Sequence, residues 1–279
     1  MDMNLSLASP SCSLFEELAT GTWERIMFSM LFSCSQGENT ITDLNLLELH
    51  RSKVPGLRIY KAIGRDEPEF GFDWEWFIGR PGAWYRFSVQ AKKLDVTSQK
   101  YKSLRHKVGA DLQLDILKDF SIQRKTIPLY CFYNYVPNHI VAKQGWNCGL
   151  PFNASQLGCT IAPLHIVEYQ HQLRASKDFS AMHAGKQVFP WRCLFCCPAL
   201  QIDNASNPLF PTSHEVHILD SLPSYLPSVP QRPESIILEE ALVAIELPER
   251  DYASNLKGFP KRIGIFDLDE FSYLTRPCT

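Results

Sequence analysis

Phe70–Ile78 reads FGFDWEWFI and Ala83–Ala91 reads AWYRFSVQA, with Gly79-Arg80-Pro81-Gly82 between them. Aromatic and β-branched residues dominate both runs and turn formers join them, so the segment reads as an antiparallel hairpin. Side chains alternate across a strand, which puts Phe72, Trp74 and Trp76 on one face and Asp73, Glu75 and Phe77 on the other. In the second strand Tyr85, Phe87, Val89 and Ala91 alternate with Arg86, Ser88, Gln90 and Lys92. If Gly79–Gly82 is the whole loop, Ile78 pairs with Ala83, Asp73 stands opposite Ser88, and Gln90 is the diagonal neighbour of Asp73. A one-residue slip would send the acid and the amide to opposite faces, against the hydrophobic pattern of both strands.

Working outward, Trp23, Ile26, Met27, Met30, Leu31 and Cys34 recur at spacings of three and four, which predicts a helix over Thr22–Cys34 with that stripe inward. Glu38-Asn39-Thr40 opens a second helix to His50, with Asn39 or Thr40 as its cap and Ile41, Leu44 and Leu47 facing inward. A strand over Leu57–Ile63 precedes the hairpin. Ser98–Phe120 has a helical pattern interrupted near Val108-Gly109, with Leu112, Ile116, Leu117 and Phe120 as its later stripe. Ile127–Tyr133 (IPLYCFY) is a continuous apolar run that suits a buried strand. Residues 38–135 therefore read helix, strand, strand, strand, helix, strand. Beyond Asn138 cysteine, proline and glycine crowd the chain, with a helix expected over Leu164–Ser176. Pro223, Pro227, Pro230 and Pro233 mark an extended connector over Ser221–Pro233. A helix or strand over Ile236–Ile245 and a strand over Arg262–Asp267 follow.

The chain has 279 residues, a formal charge of −2, 45% hydrophobic and 21% charged side chains. These proportions describe a globular protein able to bury a large core, not a disordered or collagenous chain. No run reaches the roughly 20 apolar residues that span a bilayer, and no basic stretch leads into an apolar segment at the start, so neither membrane nor export is expected. The nine cysteines are odd in number. They read as reduced thiols of a cytoplasmic protein or as metal ligands, ahead of disulfides. A nucleophile elbow of the G-x-S-x-G type, a phosphate loop and a dinucleotide fingerprint are all absent from the sequence.

A carboxylate, a side-chain carbonyl and a lysine on adjacent strands suit a hard divalent cation beside a phosphate. Mg²⁺ takes oxygen ligands, such an ion acidifies water and neutralises developing charge, and an ammonium supports the same charge. Asp73, a turn, and then Gln90-Ala91-Lys92 resemble the PD-(D/E)xK nuclease superfamily in the variant where Gln replaces the second acid. The order of elements over residues 38–135 is similar to its αβββαβ core. The resemblance implies an α/β (α+β) fold with a restriction-endonuclease-like core and a mixed sheet. It also implies Mg²⁺ or Mn²⁺ held by Asp73, Gln90 and the carbonyl of Ala91, with Glu38 in support and Glu75 as an alternative ligand. Lys92 would position the attacking water, and Gln113 on the next helix would face the site. No Pro precedes Asp73, and Gln90 brings less negative charge than an acid. The chain is also similar to poorly characterised bacterial proteins that carry the same aromatic strand and QAKK segment, some suspected to act in defence against phage.

After Lys92 come Lys93, Lys100, Lys102, Arg105, His106 and Lys107, opposed as far as Lys107 only by Asp95. Such a run binds phosphate backbones or is simply a solvated face. Cys193-Leu194-Phe195-Cys196-Cys197 contains a C-x-x-C pair that, with Cys148 and Cys159, would supply four thiolates to a structural Zn²⁺, His165 and His183 being alternative ligands. The expected organisation is an N-terminal helical segment (1–37), a nuclease-like core (38–140) and a Cys/Pro-rich extension packed on it (141–279). The expected function is hydrolysis of nucleic acid, DNA before RNA. A homo-oligomer or a defence-system partner is consistent with it. The rival is a catalytically inactive binding or scaffold protein that keeps the fold.

Overall fold

The structure is a computed structural model and describes residues 10–61, 71–141, 148–173, 177–185, 187–197, 200, 207–211, 215–224, 226 and 262–272. Among these, one mixed sheet dominates. Its strands are β1 (Leu57–Lys61), β2 (Trp74–Arg80), β3 (Ala83–Lys93), β6 (Ile127–Tyr133), β7 (Cys159–Pro163), β8 (Phe189–Pro190), β9 (Ile218–Leu219) and β10 (Arg262–Asp267). They run in the order β1-β10-β2-β3-β6-β7-β8, with β9 on the far end of β3. The β3–β6 and β10–β2 pairs are parallel and the others antiparallel. A short ribbon, β4 (Lys107–Val108) with β5 (Asp111–Leu112), stands apart. No helix among the described residues is long and apolar enough to cross a membrane.

Helices cover both faces, which is why β6 is buried along its whole length and reads as unbroken apolar sequence. On one face lie α1 (Pro10–Leu31), α2 (Glu38–Arg51) and α7 (Cys193–Cys196), packed against Trp74, Trp76, Phe87, Val89 and Leu129. Trp76 is fully buried there, stacked on Trp191 at 5.4 Å and meeting the edges of Phe15 and Phe266. On the other face α3 (Gln113–Arg124), α5 (Leu164–Gln172) and α6 (Phe179–His183) close over Tyr130 and Phe132. The remaining helix of this half, α4 (Asn138–Val141), buries Val141 in the same layer.

The elements α2, β1, β2, β3, α3 and β6 follow one another in the expected chain order. In space, however, β10 lies between β1 and β2, so a strand from the far end of the chain sits inside the sheet that begins with residue 57. The sheet thus joins residues from both sides of position 140.

Several local expectations need correction. The first helix starts twelve residues before Thr22, at Pro10, and ends at Leu31. Trp23 and Ile26 are buried, but Met30, Leu31 and Cys34 are exposed, so only the earlier part of the stripe faces the core. In α2 the cap is Gly37, and Leu46 and Leu49 carry the buried stripe while Leu47 is exposed. The segment Ser98–Leu112 is not helical: it forms a 3-10 turn over Lys102–Arg105 and the β4–β5 ribbon. Gly109 turns that ribbon at φ 63°, a left-handed conformation that interrupts a helix. In α3, Leu114 and Leu117 face the core while Ile116 and Phe120 are only partly buried. β6 and β10 have the expected bounds. Positions 62 and 63 of the first strand, positions 174–176 of the helix after Leu164, most of the proline connector and all of Ile236–Ile245 lie outside the described residues.

The hairpin has the expected faces and a different register. Arg80 pairs with Ala83, Ile78 with Tyr85 and Trp74 with Val89, leaving only Pro81 and Gly82 as the loop. Gly79 belongs to the strand, where a Cβ would lie 2.1 Å from the carbonyl oxygen of Ala83. The shift is even, so no side chain changes face. Its effect is to move Asp73 from opposite Ser88 to the position next beyond the Trp74–Val89 pair, beside Gln90.

Candidate functional site

Asp73 immediately precedes β2, and its backbone N–H donates to Val89 O at 2.9 Å, which extends the ladder by one step. Its Oδ2 accepts from the backbone N–H of Ala91 at 2.6 Å and from Nε2 of Gln90. The same Nε2 donates to the carbonyl of Ala91 at 2.9 Å. The amide of Gln90 therefore bridges the carboxylate of Asp73 and the carbonyl of Ala91. Gln90 is buried, and its Oε1 meets no hydrogen-bond partner among the described residues. Lys92, two residues on and on the same face, is 3% exposed and donates from Nζ to Oε1 of Gln113 at 2.8 Å. Asp73, Gln90, Ala91, Lys92 and Gln113 are thus brought together where β3 meets α3.

Glu38 lies at the start of α2. Its Oε2 accepts from the backbone N–H of Lys93 at 2.9 Å and its Oε1 from Ser103 at 3.1 Å, so it pins the end of β3. Glu75 is directed elsewhere. Its fully buried carboxylate takes Nη2 of Arg86 at 2.6 Å and Nε at 2.8 Å, while that guanidinium lies over the rings of Phe77 and Phe120. A ligand role for Glu75 conflicts with that pairing.

Arg262, which the sequence did not single out, completes the surroundings. It is 1% exposed, pairs with Asp43 at 2.7 Å, and reaches Asp73 O and Asn39 Oδ1 at 3.4 Å each. It thereby fastens α2 and β10 to the backbone of Asp73. A contact 189 residues apart leaves no mark in local sequence.

The basic run is largely engaged by its neighbours. Lys93 Nζ donates to Gln36 O at 2.5 Å, and burial lowers its pKa. Lys100 pairs with Asp178 at 3.7 Å, Lys102 with Asp95 at 2.7 Å, and Arg105 donates to His171 O at 3.1 Å. Hydrogen bonds from Lys102 and Ser98 hold the Asp95 carboxyl down at about 2. Lys107 and His106 are exposed.

The cysteines depart furthest from expectation. Cys12 of α1 and Cys196 of α7 form a disulfide, so this pair is not reduced and Cys196 is not a ligand in this state. Cys159 is not among the converging thiols and takes a hydrogen bond from Asn45 Nδ2 at 3.8 Å. The thiols that converge are Cys148, Cys193 and Cys197, whose sulfurs lie within 4.8 Å of one another. Cys193 and Cys197 are one helical turn apart with sulfurs at 2.9 Å, and Cys148 meets Cys197 at 3.4 Å. Hydrogen bonds from Cys193 and Cys197, joined by Arg192 Nη2 at 3.4 Å, lower the pKa of Cys148, while the shared hydrogen bond with Cys148 raises that of Cys193. Such a cluster of thiols suits a metal ion.

His183 belongs to the core, not to a metal. Its Nε2 meets Thr160 Oγ1 at 3.0 Å and its Nδ1 meets Phe179 O at 2.9 Å. Burial pushes its pKa down to about 4 from 6.5. Between those values the unfolded chain holds the extra proton, so stability falls as pH drops from about 6.5 to about 4, by up to about 3 kcal/mol. Urea midpoints measured across that window should fall more steeply for the wild type than for His183→Gln, and equal slopes would contradict this account. His165, half-buried beside Glu168, is also apart from the thiol cluster.

The chain is thus a mixed α/β protein with a half-buried acid, just before one central strand, beside a buried amide and lysine on the next, and with a separate thiol cluster. It belongs to DUF6615, a family of unknown function, whose match spans residues 11–262. No curated protein and no solved structure matches it.

Proposed function

We propose that this protein is a divalent-metal-dependent nuclease of the PD-(D/E)xK kind, acting on DNA before RNA. The observation that supports it is the convergence of Asp73 Oδ2, the Gln90 amide and the Ala91 carbonyl beside a buried Lys92. An amide NH₂ now bridges two oxygens while its own oxygen is an unpartnered buried acceptor. Turning that amide half-way round exchanges donor for acceptor and directs oxygen at oxygen, an arrangement that suits a hard cation. Asp73, Gln90 and Ala91 would hold Mg²⁺ or Mn²⁺, with Glu38 steadying the strand end that carries them. The ion would supply charge neutralisation at the phosphate and acidify water. Lys92, whose ammonium can only donate, would orient a water and stabilise charge on the phosphate oxygens. Lys100, Lys102 and Lys107 stay at the surface, where ion pairs contribute only about 0.2–1 kcal/mol and yield to a phosphate backbone.

Burial of Gln90 and Lys92 is the observation that favours the scaffold reading, in which the set is a structural network. Incubating the purified chain with double-stranded DNA, single-stranded DNA and RNA separates the two. Cleavage that needs Mg²⁺ or Mn²⁺ and stops on chelation is expected. No cleavage of any substrate, together with no heat of Mn²⁺ binding, leaves the scaffold.

For the thiol cluster the proposed metal is Zn²⁺, which takes thiolates in closed four-ligand sites when its role is structural.

A further inference from the structure

A closed tetrahedral zinc site needs four donors, and the cluster of Cys148, Cys193 and Cys197 brings three. The nearest further sulfur along the chain is that of Cys196. It follows Cys193 by three residues on the same turn of α7, directly precedes Cys197, and is tied by a disulfide to Cys12 of α1, with the two Cα atoms 5.6 Å apart. Of the other described thiols, Cys159 is hydrogen-bonded to Asn45, Cys131 is buried in β6, and Cys34 is exposed beyond the end of α1.

We infer that reduction of the Cys12–Cys196 disulfide completes a tetrathiolate zinc site made by Cys148, Cys193, Cys196 and Cys197, so that this part of the protein takes up metal only when reduced. The inference rests on the zinc reading given above and adds the fourth ligand and its control. A C-x-x-C pair such as Cys193–Cys196 has the usual spacing for two ligands of one ion. The surroundings suit the product as well. Four thiolates around Zn²⁺ leave a net double negative charge, and the guanidinium of Arg192, 4% exposed, already lies 3.4 Å from the sulfur of Cys148 while pairing with Glu16.

The chemistry balances with a dithiol as co-reactant. A thiolate of the dithiol attacks one sulfur of the disulfide, the Cys12–Cys196 S–S bond breaks, and the second thiol of the reductant resolves the mixed disulfide. Two electrons and two protons pass to the protein, giving free thiols at Cys12 and Cys196 and a disulfide in the reductant. Zn²⁺ then replaces the remaining protons on the sulfurs it binds, with no further electron transfer. In the oxidised state α1 is stapled covalently to α7. In the reduced state that staple is gone, α1 keeps the packing of Phe15 on Trp191 and Phe195, and the turn of α7 is held by the ion instead.

The test titrates the full chain, prepared free of metal, with Zn²⁺ and separately with Co²⁺. Each titration is run after oxidation and after treatment with a phosphine reductant, with Cys12→Ser and Cys196→Ser alongside and free thiols counted in each sample. The reduced wild type should bind one ion at least tenfold more tightly than the oxidised form, with the intense visible bands of a tetrathiolate Co²⁺ centre. Cys12→Ser, which leaves Cys196 unpaired, should bind tightly without reductant. Cys196→Ser should stay weak in both states. Equal affinity of oxidised and reduced wild type, tight binding by Cys196→Ser, or a thiol count showing that the pair never closes would each overturn the gating while leaving zinc at the cluster in place. Absence of Zn²⁺ and Co²⁺ uptake in every form would overturn both.

Discussion

Asp73→Asn and Lys92→Met are each expected to lower metal-dependent cleavage by about 10²–10³-fold while the protein still folds. The asparagine of the first variant keeps an acceptor for the backbone N–H of Ala91, which now bonds Asp73 Oδ2 at 2.6 Å, so the strand junction survives the loss of charge. What disappears is the anionic oxygen that a hard cation requires. The methionine of the second variant fills the same buried volume as the lysine stem and removes the ammonium. The cost is the donor to Gln113 Oε1, about 1–3 kcal/mol of stability, which the sheet around it tolerates. Initial rates at saturating Mn²⁺, with circular dichroism as the folding control, give the comparison. Wild-type rates in both variants would show that cleavage, if present, arises elsewhere.

The largest expected effect on stability is at the Glu75–Arg86 pair. Glu75 is fully buried, and both close contacts from Arg86 fall on the same oxygen, at 2.6 and 2.8 Å. The two residues are diagonal neighbours across the hairpin, since Glu75 pairs with Ser88 and Phe77 with Arg86. Arg86→Met deletes the guanidinium and leaves a carboxylate in a low-dielectric site, which should cost about 3–5 kcal/mol. That is a large part of the roughly 5–15 kcal/mol that holds a domain together. Adding Glu75→Gln removes the buried charge as well and should restore more than half of the loss, because a buried pair replaced on both sides is often near neutral. Urea unfolding of the two variants and the wild type reads this directly. A loss below about 1 kcal/mol in Arg86→Met would mean that Glu75 does not depend on its partner.

These two sites also mark how far the sequence could be read. Strict alternation in Phe72–Trp76 and Tyr85–Ala91 sorted the polar from the apolar faces. The continuous run Ile127–Tyr133 gave a central strand because helices cover it on both sides. Gly79 misled, since a glycine at a close approach of two backbones looks in sequence like a glycine in a turn. The error was even, and it understated how close Asp73 comes to Gln90. Ser98–Leu112 misled in another way: its spacing looked helical, but Gly109 and the ribbon pairing took precedence over propensity.

What was illegible depends on distant contacts. Arg262 gains its place under Asp73 only because β10 enters the sheet between β1 and β2. The C-x-x-C spacing pointed to Cys193 and Cys196, whereas the helical turn unites Cys193 with Cys197 and hands Cys196 to Cys12, 184 residues away. Glu75 looked equivalent to Asp73 because it shares its face. Only the diagonal position of Arg86 assigns it to a different interaction.

If the Gln90 amide marks a cation position, anomalous diffraction from crystals grown with Mn²⁺ will locate the ion at atomic level. The expected result is one manganese peak in contact with Asp73 Oδ2 and the Ala91 carbonyl, with the oxygen of Gln90 turned towards it. Crystals that show no anomalous peak there, and an amide NH₂ still bridging Asp73 and Ala91 at saturating Mn²⁺, would contradict it.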